Sequence, residues 1–508
     1  MIVMKSLPLS YKKLLEKNKK LTLLGSVQGT MSWDMETMMP PRAVGLRSEQ
    51  MALLSSIFHK SATSPEIGSL LAEVMKKGNF DMLGQIEKRN VELIKKSYDE
   101  RTKIPTELVE KIAKQRAVSV NVWKKAKKKQ DYSMFRPELE KNIDLSKKLA
   151  EILMKVKDAK SLYDALLDDY EPKITTDAIA KIFSKLQNEL RVIISKCENS
   201  GIQVEEIKKS ASIDAQKKIA GMLAEFAGYD ITSDNAGGRI DETEHPFTQG
   251  YFDDVRITTH YYENNIFSSI FSTLHEMGHA IYEQNIDQKL KYQPVGSACS
   301  YGIHESQSRF LENMVGRSKE FWTFFLPNIN SVTCLDLDME KLLLYVNRVR
   351  PSKIRIEADE VTYGLHIITR FEIERDMFSG KLDACDLPNV WNSKYKEYLG
   401  LEIKNDSEGV MQDMHWASNL FGYFPSYALG NIYGGQMLGA MNKKFPNWKE
   451  DLSKGDLTKE RIWIKKNIYD NCKIYDPADL IKKITGKPVS VEPFVNYLKK
   501  KFGAIYGF

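Results

Sequence analysis

Two histidines four residues apart place the strongest single constraint on what this chain can fold into and do. Residues 272–280 read STLHEMGHA, with Glu276 directly after His275 and His279 closing the motif. Side chains four apart share one face of an α-helix with 3.6 residues per turn. Both imidazoles can therefore reach one ion, and Glu276, about 100° round the helix, can reach a water molecule on that ion. The stretch predicts a helical metal site of the zinc-hydrolase type.

A bare His-Glu-x-x-His pattern also arises by chance on helices whose polar face is solvated. The flanking residues argue against that alternative, because apolar side chains surround the motif on most sides of the helix: Ile266, Phe267, Ile270, Phe271, Leu274, Met277, Ile281 and Tyr282. Histidines buried on such a helix need a polar partner. We therefore favour the metal-site interpretation.

Catalytic zinc normally takes three protein ligands, so a third ligand has to come from elsewhere in the chain. Glu283 continues the stripe of His275, but eight residues along a helix span about 12 Å, too far to share one ion. The metzincin pattern is excluded because Tyr282 and Asn285 stand where it requires glycine and histidine.

A second helix, which we predict around residues 302–312, can supply the missing ligand. Glu305 follows His279 by 26 positions, which leaves room for a loop and a returning helix. His304 competes with Glu305, because helical neighbours point about 100° apart and only one of them can face the ion.

Composition narrows the class of protein. The 508 residues carry a net charge of +6, which gives little support to nucleic-acid binding, and the lysine-rich run 124–129 is typical of a solvated helix face. Five scattered cysteines without a Cys-x-x-Cys pair indicate reduced thiols and a cytoplasmic protein. Residues 1–20 lack the apolar core of a signal peptide, and no apolar run is long enough to span a membrane.

Periodicity predicts a mostly α-helical fold. Apolar positions recur every three or four residues in 47–58, 66–77 and 146–157, within a region that is largely helical up to about residue 227. Residues 250–259 alternate like a single β-strand of a small sheet, and helical periodicity resumes from Asn264. We expect one large helical unit, in two lobes, with a small β element beside the metal helix.

Six motifs in order make the chain resemble the carboxypeptidase Taq family of zinc metallocarboxypeptidases. Besides the zinc signature they are HPF at 245–247, DVRIT at 254–258, HES at 304–306, IRIEAD at 354–359 and GVMQDMHW at 409–416. Residues 33–41, WDMETMMPP, also look like the family's N-terminal segment. The resemblance runs from about residue 20 to the C-terminus and is weakest between about 81 and 218.

The resemblance implies a neurolysin-like helical fold with a deep active-site groove and a small β-sheet beside the metal helix. It implies one catalytic domain over residues 1–508, whose N-terminal helical segment, to about residue 230, forms part of the groove. The metal and substrate motifs then lie within 245–427. It also implies a cytoplasmic homodimer that releases single residues, with broad specificity, from peptides with a free C-terminus.

In the mechanism that we expect, His275, His279 and Glu305 hold one Zn²⁺, for which Co²⁺ is a possible substitute. Glu276 acts as the general base on the metal-bound water and later protonates the leaving amine. The oxyanion needs further donors, and we assign His415.

A tyrosine assists His415 in this mechanism, and Tyr427 is preferred to Tyr423 by analogy with distant helical relatives of the family. Core packing with a satisfied hydroxyl is the favoured interpretation of Tyr423. An exopeptidase must also bind the terminal carboxylate, which suits the planar fork of an arginine. Arg355 is the first candidate and Arg256 the second, although a structural salt bridge explains either residue equally well.

Other functions remain as alternatives. An oligopeptidase or a dipeptidyl carboxypeptidase would use the same zinc chemistry but cut elsewhere in the peptide. A helical binding scaffold with a vestigial metal site is a third possibility, and the intact set of predicted ligands argues against it.

Overall fold

The computed structural model describes residues 7–508, which are built mainly from α-helices; the first six residues of the segment 1–20 lie outside this range. The helices are α1 (Leu9–Thr37), α2 (Val44–Ala62), α3 (Pro65–Val74), α4 (Lys77–Phe80), α5 (Gln85–Lys103), α6 (Thr106–Lys129), α7 (Tyr132–Lys157), α8 (Leu162–Leu167), α9 (Thr176–Asn199), α10 (Ile213–Ala227), α11 (Ile266–Asn285), α12 (Tyr301–Arg309), α13 (Lys319–Thr333), α14 (Met339–Val346), α15 (Tyr363–Phe378), α16 (Leu387–Leu399), α17 (Pro425–Lys444), α18 (Trp448–Leu452), α19 (Thr458–Ile464), α20 (Pro477–Thr485) and α21 (Glu492–Tyr506).

Proline and capping residues set several of these boundaries. Residues Pro40 and Pro41 separate α1 from α2, and Pro105 separates α5 from α6, because proline cannot continue the hydrogen-bond ladder of the preceding helix. Asn265 caps α11, with its side-chain oxygen accepting a hydrogen bond from the Ser268 N–H at 3.3 Å. The mostly helical fold is confirmed.

The sheet has three short strands, β1 (Gly238–Glu242), β2 (Thr248–Tyr251) and β3 (Asp254–Thr259), in the order β1-β3-β2. Strand β3 lies in the middle, parallel to β1 and antiparallel to β2. It packs on α11, where Thr259 Oγ1 lies 2.8 Å from Ser272 Oγ. The sheet therefore lies beside the helix that carries the histidine pair, as expected.

The prediction of one strand over residues 250–259 is wrong, because this stretch forms a hairpin. Residues 252 and 253 turn the chain between β2 and β3, and Phe252 has a φ of 52°. A Cβ added at Gly250 would lie 2.2 Å from the backbone oxygen of Asp254, so the two strands can approach only with glycine there. Apolar and polar residues alternate only over residues 255–258, whereas Tyr251 and Phe252 are both apolar and Asp253 and Asp254 are both acidic, so the alternation breaks at the turn.

In the part of the chain that the structure describes, the buried apolar side chains form two clusters. The larger one extends from α6 to α21 and includes the buried apolar side chains of α11 and α17. The smaller one joins α1, α3 and α5 through Tyr11, Leu14, Ile67, Leu71 and Val91. Within residues 7–508, no helix has both the length and the apolar character needed to cross a membrane.

Candidate metal centre and active site

Glycines let three helices pack closely around the histidine pair on α11. A Cβ added at Gly278 of α11 would lie 2.5 Å from Ser308 Cα on α12. One added at Gly430 of α17 would lie 2.6 Å from Glu305 Cγ. Larger residues at these two positions would force the helices apart. This close packing brings Glu305 to the face of α11 that carries the histidines.

The potential ligand atoms of His275, His279 and Glu305 converge at this point. Glu305 Oε2 lies 3.6 Å from His275 Nε2 and 3.3 Å from His279 Nε2. One ligand atom from each residue lies within 4.8 Å of the other two, so an ion about 2 Å from each atom fits between them. Two imidazole nitrogens and a carboxylate are a donor set that leaves a fourth position open on zinc.

Each imidazole of this cluster has a hydrogen-bond partner at its other ring nitrogen. His275 Nδ1 lies 2.9 Å from Glu312 Oε2, and His279 Nδ1 lies 2.5 Å from His304 Nδ1. Partners at Nδ1 fix the tautomer that leaves the Nε2 lone pair free for a metal ion. The arrangement of donors therefore fits a bound metal ion.

The other candidates for the third ligand lie outside the convergent group. His304 uses Nδ1 to contact His279, and its Nε2 lies 3.0 Å from Glu283 Oε1. The group of three converging atoms includes neither residue. Of the two neighbours on α12, Glu305 is the one that faces the cluster.

Charges buried around Glu305 offset one another. Arg309 Nε donates to Glu305 Oε1 at 2.7 Å, and Arg309 Nη1 lies 3.3 Å from Glu312 Oε2. Burial alone would raise the pKa of Glu305, but Arg309 and His275 hold that pKa far below its usual range. Burial also lowers the pKa of His279 to about 3. Glu305 is therefore ionised and His279 neutral at neutral pH, as metal ligation requires of them. Burial alone would lower the pKa of His275, but Glu305 and Glu312 raise it above its usual value.

Glu276 lies beside the cluster and contacts the sheet. Thr248 Oγ1 on β2 lies 2.6 Å from Glu276 Oε2 and 3.0 Å from the backbone oxygen of Glu276. Burial raises the pKa of Glu276, while His275 and the Thr248 hydrogen bond offset part of that effect. A carboxylate with a raised pKa is suited to accepting a proton and returning it.

His415 and Tyr427 contact each other near the start of α17. His415 Nε2 lies 3.3 Å from the Tyr427 hydroxyl, and the Tyr423 ring centroid is 5.1 Å from that of Tyr427. Burial lowers the pKa of His415 to about 3 and raises the pKa of Tyr427 above its usual range. Both side chains are therefore neutral hydrogen-bonding groups at neutral pH.

Arg355 follows α14 and is held by a buried carboxylate. Its Nε and Nη2 lie 3.0 Å and 2.8 Å from Asp413 Oδ1, while Arg370 Nε of α15 donates to Asp413 Oδ2 at 2.7 Å. The Arg355 guanidinium carbon is 5.0 Å from the centroid of the Tyr427 ring. The ion pairs fix the position of the Arg355 guanidinium next to this tyrosine.

A cavity of about 1150 Å³ unites most of the predicted site residues. Its walls include His275, Glu276, Glu305, Arg355 and Tyr427. His279 and His415 do not line it, and each contacts a residue that does, namely Glu305 and Tyr427. The cavity is thus large enough for a peptide chain end beside the convergent ligand atoms.

Arg256 is the one predicted site residue that the fold places elsewhere. It lies on β3, where its Nε and Nη2 bind the two carboxylate oxygens of Asp254 at 2.7 Å and 2.8 Å. Its guanidinium carbon is 4.5 Å from the ring centroid of Trp33, and it lines a different, smaller cavity. The structural salt bridge considered for this residue is present.

Thr248, Arg309 and Glu312 complete the site, although no motif predicts them. Arg309 and Glu312 follow Glu305 by four and seven residues. This spacing places all three residues on one face of a helix and could have identified Arg309 and Glu312 from the sequence. Thr248 reaches Glu276 through the pairing of β2 with β3, a long-range contact that no local pattern encodes.

Comparison with known proteins agrees with this arrangement. The family described as carboxypeptidase Taq (M32) metallopeptidase matches residues 13–502. The thermostable carboxypeptidase 1 of Thermus thermophilus is 37% identical over 511 residues, covering 98% of this chain and 99% of that protein. Carboxypeptidase 1 of Bacillus subtilis is 36% identical over 494 residues, covering 96% and 97% of the two chains.

Solved structures agree over the whole fold. The M32 carboxypeptidase of Deinococcus radiodurans superposes with a TM-score of 0.93 at 31% identity, covering 99% of this chain and 100% of that one. Metallocarboxypeptidase 1 of Trypanosoma cruzi gives a TM-score of 0.93 at 32% identity, covering 97% and 99%. The chain therefore belongs to the carboxypeptidase Taq (M32) metallopeptidase family and is a metallocarboxypeptidase.

Proposed function

We propose that this metallocarboxypeptidase is zinc-dependent and releases single residues, with broad specificity, from peptides with a free C-terminus. The convergence of His275 Nε2, His279 Nε2 and Glu305 Oε2 carries the proposal. These residues would hold one zinc ion per chain, and cobalt could replace it because it accepts similar ligands. When bound, zinc lowers the pKa of a water molecule to about 7 and polarises the scissile carbonyl.

Glu276 is the proposed general base. Its carboxylate, next to His275 and held by Thr248, accepts a proton from the attacking water and passes it to the leaving amine. The raised pKa of Glu276 supports both transfers, because a stronger base accepts the proton more readily and still returns it to a more basic amine.

The oxyanion that forms during attack needs hydrogen-bond donors that are already in place. The Tyr427 hydroxyl lines the cavity, and His415 lies behind it at 3.3 Å. We assign oxyanion stabilisation to this pair, with Tyr427 nearer to the substrate. The packing of Tyr423 against Tyr427 supports a structural role for Tyr423.

We assign the binding of the substrate's terminal carboxylate to Arg355. A guanidinium fixed by Asp413 at the cavity wall would meet the substrate terminus without first having to be ordered. Arg256 is the second candidate, and its ion pair with Asp254 outside this cavity makes it the weaker one.

Further features of the proposal rest on the family resemblance and the composition. Residues 1–508 act as one catalytic domain, with the helical segment to about 230 forming part of the groove and the motifs at 245–427 forming the site. The enzyme works as a homodimer in the cytoplasm, on peptides and without nucleic-acid partners.

The Glu276→Gln variant tests the chemical step. It should retain stoichiometric zinc and lose turnover, because the amide cannot accept the water proton. Full activity in this variant would show that the proposed mechanism is wrong. Release of dipeptides or internal cleavage by the parent enzyme would instead support the dipeptidyl carboxypeptidase or oligopeptidase alternative.

A further inference from the structure

Glu283 and His304, the two residues that do not join the convergent ligand atoms, link to each other and to His279. His304 Nε2 lies 3.0 Å from Glu283 Oε1, and His304 Nδ1 lies 2.5 Å from His279 Nδ1. Glu283 is four residues after His279 on α11, so the two side chains share one face of that helix. The ring of His304 bridges them from α12.

The contact between the two imidazoles is a hydrogen bond. The ring planes of His279 and His304 are 16° from parallel with centroids 4.5 Å apart. Their Nδ1 atoms nevertheless approach to 2.5 Å, far inside the separation of about 3.5 Å that stacked rings keep. The rings therefore meet edge to edge. Tyr282, whose ring centroid is 5.3 Å from that of His304, covers the face of the bridging ring.

The hydrogen bonds that link His279, His304 and Glu283 all donate in the same direction, from His279 towards Glu283. A carboxylate only accepts hydrogen bonds, so the tautomer of His304 that fits Glu283 has its ring proton on Nε2. His304 Nδ1 is then an acceptor, and the proton that it accepts comes from His279 Nδ1. With Nδ1 protonated, the Nε2 lone pair of His279 stays free for a metal ion, which Glu305 Oε2, 3.3 Å from that nitrogen, would also hold.

We propose that His304 is a positioning residue of the metal centre, which orients His279 and fixes its tautomer, with Glu283 anchoring His304 in turn. The inference rests on the proposed metal-binding function. His279 would then be linked to a carboxylate, that of Glu283, through His304, whereas His275 contacts the carboxylate of Glu312 directly. The rotation of α12 that aims Glu305 at the ion turns His304 about 100° away, towards Glu283.

The test measures the zinc dissociation constant by chelator competition on folded protein, a readout independent of turnover. His304→Phe keeps a ring against Tyr282 but removes the acceptor, and it should weaken zinc binding about 10- to 100-fold. His304→Asn, whose side-chain oxygen can stand in for Nδ1, should recover part of that loss. Glu283→Gln should weaken binding less than His304→Phe does.

The decisive comparison is the double variant His304→Phe with Glu283→Gln. Glu283 acts only through His304 in this account, so the double variant should bind zinc as His304→Phe alone does. His59→Phe, on the distant helix α2, is the control for removal of a histidine and should bind as the parent does. The melting temperature of each metal-free variant checks its fold.

Parental zinc affinity in folded His304→Phe would overturn the proposal. So would a further loss in the double variant, because Glu283 would then act without His304. If His304→Phe does not fold, zinc binding by His304→Asn is compared with and without Glu283→Gln instead. The Asn side chain does not connect Glu283 to His279, so adding Glu283→Gln should not weaken zinc binding further. Failure of the parent to bind zinc would contradict the proposed function, a separate result.

Discussion

The Thr248 hydroxyl on strand β2 lies 2.6 Å from Glu276 Oε2 on helix α11. This contact connects the proposed general base to the sheet. The hydrogen bond favours the ionised carboxylate and opposes the effect of burial on the pKa of Glu276.

Replacing Thr248 with valine should move the pH dependence of activity. Without the hydroxyl, the pKa of Glu276 rises further, so the base is protonated up to a higher pH. A hydrogen bond to a charged group is worth about 1.5 kcal/mol, so the acid limb of kcat/KM should shift upwards by about one pH unit. Thr248→Ser keeps the hydroxyl and should restore the parental limb; an unchanged limb in the valine variant would contradict the role of this bond.

Arg355→Lys should lose the recognition of a free C-terminus. Lysine lacks the planar fork, so we expect kcat/KM on a peptide with a free carboxylate to fall by at least about 30-fold, equivalent to about 2 kcal/mol. The C-terminally amidated peptide, already a poor substrate, should be affected much less. Arg256→Lys is the matched control and should behave as the parent does. If Arg256→Lys lost this activity and Arg355→Lys kept it, Arg256 would be the residue that binds the terminal carboxylate.

Tyr427→Phe should reduce kcat by about 100- to 1000-fold with little change in KM, because the oxyanion forms only in the transition state. His415→Gln should also lower kcat. If His415 acts through its hydrogen bond to Tyr427, the double variant should be no slower than Tyr427→Phe. A rise in KM at constant kcat would instead assign Tyr427 to ground-state binding.

The buried carboxylate of Glu374 should make stability depend on pH. It accepts hydrogen bonds from the Tyr163 hydroxyl, Trp416 Nε1 and the Gly422 N–H, and burial raises its pKa from 4.5 to about 7. Between these values the folded protein holds a proton that the unfolded chain has released. Stability should therefore fall as pH rises from about 4.5 to about 7, by roughly 3 kcal/mol from this group.

The Glu374→Gln variant tests whether Glu374 causes this pH dependence, because a side chain that does not titrate cannot make stability change with pH. Melting temperatures of the metal-free parent and variant, compared across that pH range, should show a shallower decline in the variant. An equal decline in both would exclude Glu374 as its source.

Much of this site could be predicted from the sequence, because its residues occupy helical positions with a fixed geometry. The spacing of His275 and His279 needs only 3.6 residues per turn, and the same arithmetic removes Glu283 as a ligand. The choice between His304 and Glu305 needs the rotation of α12, which depends on close packing at Gly278 and Gly430.

Other features depend on contacts that no local pattern encodes. The turn at Phe252 interrupts the alternation only between residues 251 and 254, and Thr248 reaches Glu276 only after the sheet has formed. Arg256 and Arg355 both occur in motifs, and only the fold separates them, by pairing Arg256 with Asp254 on the sheet and placing Arg355 on the cavity wall.

Product analysis on a ladder of peptides, with and without a chelator, tests the central claim most directly. We predict the stepwise appearance of peptides one residue shorter at the C-terminus, loss of this activity when the metal is removed, and its recovery when zinc is added back. Cleavage that is unaffected by complete metal removal, or products that are mainly dipeptides or internal fragments, would contradict the account.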